Sequence, residues 1–277
     1  FASAPLNLFL LLPLPDRMIP DPFRQDHTQI MDDPRAIKEQ KHFDQLARET
    51  GEVWWGSTTP AGQWRKRRRA ELICAALATF PDPLVIELGC GTGALTRYLL
   101  EIRPSLRLVG LDVSPICVRQ AIERFPYPNA VFQVGNAYEL PLRDGIADAV
   151  AGASVLHHLD VRRALRECGR VLKPGGLLWF SEPNMMNPQV ALEKNIRAIG
   201  AWLQNSEDET AFFRWSLAKQ LREAGFTDVR VRPYDFMHPL IPSSLIPWAG
   251  RLGRWLEAVP LLREISGSLQ VQARKPS

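Results

Sequence analysis

The stretch that most constrains this chain is Val85-Ile86-Glu87-Leu88-Gly89-Cys90-Gly91-Thr92-Gly93. The apolar run at 84–86 reads as a buried strand, an acid follows, and three glycines then occupy alternate positions. Residues 94–100 read as a helix. Strand, glycine turn and helix together bring a backbone close to a ligand at the carboxyl edge of a parallel sheet. Glycine suits that turn because it takes positive φ and has no Cβ to block approach. Alone the stretch has two readings, a tight structural turn or a ligand cradle. Its G-x-G-x-G spacing is neither the dinucleotide G-x-G-x-x-G nor a phosphate loop.

The sequence around the turn narrows the class. At 277 residues the chain is long enough for one large domain or one domain with an elaborated cap. Apolar residues at 45% and charged residues at 23% are ordinary for a globular protein, and the net charge of +4 is mild. Much of the basic excess sits in Arg65-Lys66-Arg67-Arg68-Arg69, which reads as a solvated helix face, an anionic-ligand contact or a nucleic-acid contact. Cys74, Cys90, Cys117 and Cys168 form no C-x-x-C pair, so a disulfide framework or zinc site is not expected and a reducing cytoplasm is. The histidines are not paired with acids at ligand spacing, and no metal is expected.

Along the chain, residues 1–34 read as an irregular arm rich in Pro and Asp. Its apolar stretch at 4–15 is broken by Pro5 and Pro13 and is too short for a transmembrane span. It also lacks the basic flank of a secretory signal, and Met18 is an alternative start. Residues 35–83 read as a helical cap. Ile37, Phe43, Leu46 and Ala47 fall on one helical face and Gly51 can end that helix; a second helix at 64–80 is stopped by Pro81 and Pro83. From residue 84 strands and helices alternate, with strands at 84–88, 107–111, 130–134, 146–152 and 177–181. Ser114 followed by Pro115, and Asp160, are placed to cap the helices after them. This alternation argues for an α/β fold with a doubly wound, Rossmann-like parallel sheet. A capping-box spacing at 206–209 precedes a helix with Phe213, Leu217, Leu221 and Ala224 on one face. Strands at 227–231 and 268–273 follow, and a short amphipathic helix at 248–257 lies between them.

Four features stand in order. Glu87 to Gly93 come first; Asp112 ends the second strand; Gly135-Asn136-Ala137 follows the third; Ser154-Val155-Leu156-His157-His158 follows the fourth, with Leu172-Lys173-Pro174-Gly175-Gly176 beyond. An acid at the end of strand two can accept from both ribose hydroxyls of a nucleoside lying over the turn. With E-L-G-C-G-T-G, L-D-x-S, V-L-H-H-L and L-K-P-G-G, residues 84–231 resemble the class I S-adenosylmethionine (SAM)-dependent methyltransferases, in particular the small-molecule group. The resemblance implies a seven-stranded sheet of order 3-2-1-4-5-7-6 with strand seven antiparallel, in one domain over 35–277. It also implies SAM as cofactor and S-adenosylhomocysteine as product.

The family pattern carries over residue by residue. Gly89, Cys90, Gly91 and Gly93 would meet the methionine part of SAM, and Glu87 would sit beneath that loop. Asp112 would bind the ribose and Val113 would pack on the adenine. Asn136, where an Asp is commoner, can still accept from the adenine amine, and the Ala137 amide would face a ring nitrogen. Ser154 would lie near the SAM amino group. Arg68, or Arg65, with Trp64 nearby, is the candidate for the SAM carboxylate, against a reading as exposed basic residues. His157 is the candidate base or substrate contact, against a structural histidine. Glu182 can orient an acceptor, against a role in a turn, and Tyr138 and His42 can also face the pocket.

Insertions at 182–205 and 234–266 should shape the acceptor site. The second carries many apolar residues, which reads as a lid, an apolar or lipid-linked acceptor site, a peripheral membrane contact or an oligomer face. The leading expectation is methyl transfer to a small molecule in the cytoplasm, with no nucleic-acid partner. The alternatives are a macromolecule methyltransferase and a SAM-binding scaffold without catalysis.

Overall fold

The computed structural model describes residues 33–49, 58–196 and 210–277. The arm through residue 32, the Gly51 stop and the capping box at 206–209 lie outside the described residues. Helix α1 (Pro34–Glu49) begins where Asp33 Oδ1 accepts the amides of Arg35 and Ala36 at 3.0 and 3.2 Å. Helix α2 (Pro60–Ala76) starts four residues before the expected Trp64. The cause is local: Thr59 accepts from the Gly62 amide at 3.1 Å, and Pro60 fits the first turn, where no N–H is needed. The helix ends at Ala76, short of the two prolines expected to stop it.

The alternating region follows as β1 (Leu84–Leu88), α3 (Ala94–Ile102), β2 (Arg107–Asp112), α4 (Pro115–Arg124), β3 (Ala130–Val134), β4 (Ala147–Ala153), α5 (Val161–Val171) and β5 (Leu172–Pro183). Ser114 accepts from the Cys117 amide and Asp160 from the Arg163 amide, so both expected caps are made. Strand β5 is longer than expected. Leu172 already pairs with Ala147, and Glu182 and Pro183 pair with Leu269 and Ser268. Then come α6 (Pro188–Asn195), α7 (Arg214–Glu223), β6 (Thr227–Tyr234), α8 (Ile246–Ala258), α9 (Pro260–Arg263) and β7 (Ser268–Arg274). On α7, Leu217 and Leu221 are buried as expected, whereas Phe213 ends up exposed just before the first turn.

The strands form a seven-stranded sheet of order β3-β2-β1-β4-β5-β7-β6. β7 runs antiparallel to both its neighbours, β5 and β6, and the other pairings are parallel. Side chains alternate across this sheet. Leu84, Ile86, Leu88 and Phe180 pack with Leu165 of α5 and Leu217 of α7. Val85 and Trp179 pack on the opposite face with Ile73 of α2 and Leu99 of α3. Burying each such large side chain contributes about 1.5–3 kcal/mol. The same alternation puts Glu87 on the Val85 side, beneath the start of α3. Because β1 is central and buried along its length, that acid is almost wholly buried.

Candidate active site

At the carboxyl edge of β1 the chain turns through Gly89, Gly91 and Gly93, whose φ values are 68°, 52° and 81°. A Cβ on Gly89 would stand 2.7 Å from Val155 Cγ2, so this position is closed to any other residue by space as well as by φ. Glu87 is 1% exposed and takes the hydroxyl hydrogen of Thr96, from the first turn of α3. Burial pushes its carboxyl up to about 8. The Cys90 thiol is likewise pushed well up by burial and by the Asp112 and Glu87 charges, so it stays protonated.

Asp112 holds the turn. Its Oδ2 accepts the Gly91 amide at 2.8 Å and its Oδ1 the Ser114 amide at 2.9 Å. Burial raises its pKa while those amides pull it back. Asn136 Oδ1 accepts the Tyr138 amide at 3.0 Å, which folds the segment after β3 into a turn. After β4, Ser154 takes φ 59°, a left-handed value uncommon for a residue with a Cβ, and its amide donates to Ser181 O at 2.7 Å. Strain of that kind gathers at ligand clamps.

The loop beyond Ser154 is organised from below. Glu182, 1% exposed, accepts the amides of Val155 and Leu156 at 3.2 and 3.0 Å. His157 Nδ1 lies 2.7 Å from the other oxygen of the same carboxylate. A carboxylate that gathers backbone amides is an acceptor, so Nδ1 carries the hydrogen. Beside it the His158 ring lies 4.2 Å away, with its Nδ1 3.1 Å from Glu39 Oε2 of α1.

These elements enclose one cavity of about 1050 Å³. Its wall includes Glu87, Gly89, Cys90, Gly91, Asp112, Val113, Asn136, Ala137, Ser154 and His157. Tyr138 also lines it; His42 does not. Gly93 stands just behind as the cap of α3. Two expectations are corrected. Glu182 is not in the wall, because its carboxylate is turned into the loop that carries His157. Arg68 is not in the wall either. It forms two hydrogen bonds to Glu257 at 2.7 and 2.6 Å and lies against the Trp64 and Tyr234 rings. Arg65 reaches the cavity but its Nε donates to Asp235 at 2.7 Å. Two of the run's five cations therefore pin α2 to the segment after β6 rather than forming a solvated face, while Lys66 and Arg69 line the cavity.

Residues 86–180 match the methyltransferase domain family. The match runs from within β1 to within β5, through the glycine turn and the His157 loop. The chain is 33% identical to erythromycin 3''-O-methyltransferase of Saccharopolyspora erythraea over 53% of this chain and 52% of that protein. It is 35% identical to demethylmenaquinone methyltransferase of Chlorobaculum tepidum over 43% of this chain and 47% of that protein. The chain thus spans about half the length of these curated relatives. Among solved structures, Haemonchus contortus phosphoethanolamine N-methyltransferase 2 in complex with S-adenosyl-L-methionine aligns with a TM-score of 0.57 at 15% identity. That alignment covers 85% of this chain and 60% of the other, and it speaks to the fold.

The cavity is also lined by residues that the sequence patterns do not single out. Helix α1 closes the cavity with Arg35, Glu39 and Phe43, and Arg35 Nε donates to His158 O at 2.9 Å. The apolar spacing of α1 was legible, but its cavity face carries charge, and Ile37 is not among its buried residues. Only the partner, His158, marks Glu39 as a site residue. On the far side Phe236, Met237 and Leu240 from the segment after β6 complete the wall. The described residues hold no cluster of three His, Cys, Asp or Glu in reach of one metal ion. No described helix is long and apolar enough to cross a membrane.

Proposed function

We propose that this protein transfers a methyl group from SAM to a small, largely apolar acceptor held in the same cavity. The observation that carries the reading is the single cavity that joins the glycine turn, Asp112 and Asn136 to the His157 loop under an apolar wall. The glycine cradle and the acid at the end of β2 fit a nucleoside with a charged tail. A volume of about 1050 Å³ lies at the top of the range for small-molecule sites, enough for a cofactor and an acceptor together.

In this reading the close-lying backbone of residues 89–92 faces the amino-acid tail of SAM. Asp112 receives the ribose hydroxyls on lone pairs its two amide donors leave open. Asn136 and the Ala137 amide take the adenine edge, and Val113 packs on its face. Lys66 and Arg69, in the wall where Arg68 is not, replace it as candidates for the SAM carboxylate. When bound, SAM supplies an activated methyl on a sulfonium, so holding the acceptor in line with it provides much of the rate. His157 is the group placed to take the acceptor's proton. Its Nδ1–H is held by Glu182, which orients the ring and favours a positive charge on it. Glu182 is then a positioning residue.

The apolar wall from Met237 and Leu240 supports an apolar or lipid-linked acceptor. Four free cysteines fit a reducing cytoplasm. Calorimetric titration with SAM and S-adenosylhomocysteine, followed by labelled-methyl transfer into metabolite, lipid, RNA and protein fractions, tests the reading. Saturable binding of both compounds with label entering a small-molecule or lipid fraction is expected. Absence of binding overturns it, binding without transfer to any fraction favours a scaffold, and label in RNA or protein favours a macromolecular acceptor.

A further inference from the structure

Helix α8 is built inside out. It buries Gly250, Gly253 and Glu257 and exposes Trp248, Leu252 and Trp255, at 64%, 37% and 59%. The exposed three are spaced four and three residues apart and so form one stripe along the helix. The hydrophobic effect alone would turn the tryptophans inward. The inner face prevents it. A Cβ on Gly250 would stand 3.1 Å from Trp64 Cζ2, so the helix backbone lies close against α2. Glu257 is clamped by Arg68 through two hydrogen bonds, and its Oε1 also accepts the Asp235 amide at 2.9 Å. Rolling the stripe inward would break that buried pair.

The apolar surface continues through Leu245 before the helix and Leu261 after it, 52% and 83% exposed. Its charge is one-sided. From His238 to Arg263 the only acid is Glu257, which is buried and paired, while Arg251 and Arg254 are exposed beside the stripe. Tryptophans flanked by arginines without acids suit the boundary of an anionic bilayer, where indoles sit at headgroup depth and guanidinium groups meet phosphates. At 13 residues the helix spans about 20 Å and lies on such a surface rather than crossing it.

We propose that the Trp248–Leu252–Trp255 stripe of α8 docks this protein on an anionic lipid surface. Leu240, 77% exposed, also lines the cavity, and it lies only eight residues before Trp248. Docking therefore brings the cavity rim within about 28 Å of the lipid. That apolar acceptors enter from the bilayer rests on the functional reading above; the docking itself does not.

Flotation of the full chain with vesicles of phosphatidylcholine and phosphatidylglycerol tests it, against vesicles of phosphatidylcholine alone. Wild type is expected to float with the anionic vesicles. Arg251→Gln with Arg254→Gln should weaken that binding about twenty-fivefold, at roughly fivefold per arginine, and leave binding to phosphatidylcholine unchanged. Trp248→Ser with Trp255→Ser should lose more than about tenfold on both vesicle types. Neither pair lines the cavity, so SAM titration of both variants should match wild type. A failure of SAM binding by wild type would count against the functional reading and leave flotation unaffected. Wild type remaining at the bottom of the gradient, or variants floating like wild type, overturns the proposal. So does sedimentation showing a dimer that the tryptophan variant splits, without vesicle binding, since a second copy would then cover the stripe.

Discussion

Glu87→Gln removes the acid buried beneath the glycine turn and keeps both its shape and an acceptor for the Thr96 hydroxyl. Burial holds the carboxyl near 8 in the folded chain, against an ordinary value of 4.5. Between those values the folded state keeps a proton that the unfolded state has released. Wild-type stability therefore falls as pH rises through the window, and this group contributes nothing to the pH dependence below 4.5. The slope approaches about 1.4 kcal/mol per pH unit, or roughly 2.7 kcal/mol between about pH 5.5 and about pH 7.5. Glutamine does not titrate, so the variant lacks this slope. For a chain of 277 residues the unfolding entropy is about 0.6 kcal/mol per kelvin, so the predicted relative gain is about 5 °C. Thermal melts of both proteins without ligand, across that pH range, measure it. The difference in Tm, variant minus wild type, should rise by that amount. A difference that stays flat, or falls, refutes the account of Glu87 as an acid held neutral by burial.

Three further outcomes are expected. Gly89→Ala should cost about 1–3 kcal/mol in chemical denaturation and lower SAM affinity by at least about tenfold, because its Cβ meets Val155 and its φ is left-handed; wild-type affinity would contradict this. Glu182→Ala leaves the Val155 and Leu156 amides without their acceptor and should lower stability by about 2–4 kcal/mol, read in urea melts. Glu257→Gln breaks the partly buried clamp on Arg68, and about 3–5 kcal/mol of local stability should go with it. Limited proteolysis should then cut between residues 235 and 267 faster than in wild type, and unchanged cleavage there would count against the clamp.

The chain by itself determined the sheet and the glycine-turn end of the cavity. Both follow from local patterns: alternating apolar strands and helices, glycines that only a turn of positive φ requires, and Asp112 at a strand end whose neighbours fix its direction. Such features depend on residues within a turn or two of one another, which is why they are legible in one dimension. Side chains whose partners come from distant segments were decided only by the tertiary structure. Arg68 and Lys66 look alike in a basic run; Glu257, 189 residues away, makes one a clamp. Glu182 looked like an acceptor contact until the β5 register set its carboxylate under the His157 amides, 25 residues back in the chain. Glu39 reads as a solvated helix residue until His158 faces it. The amphipathic pattern of α8 announced a helix but not its orientation. Periodicity says which residues share a face; only the glycine contact with Trp64 and the Arg68 clamp say that the apolar face is the one turned out.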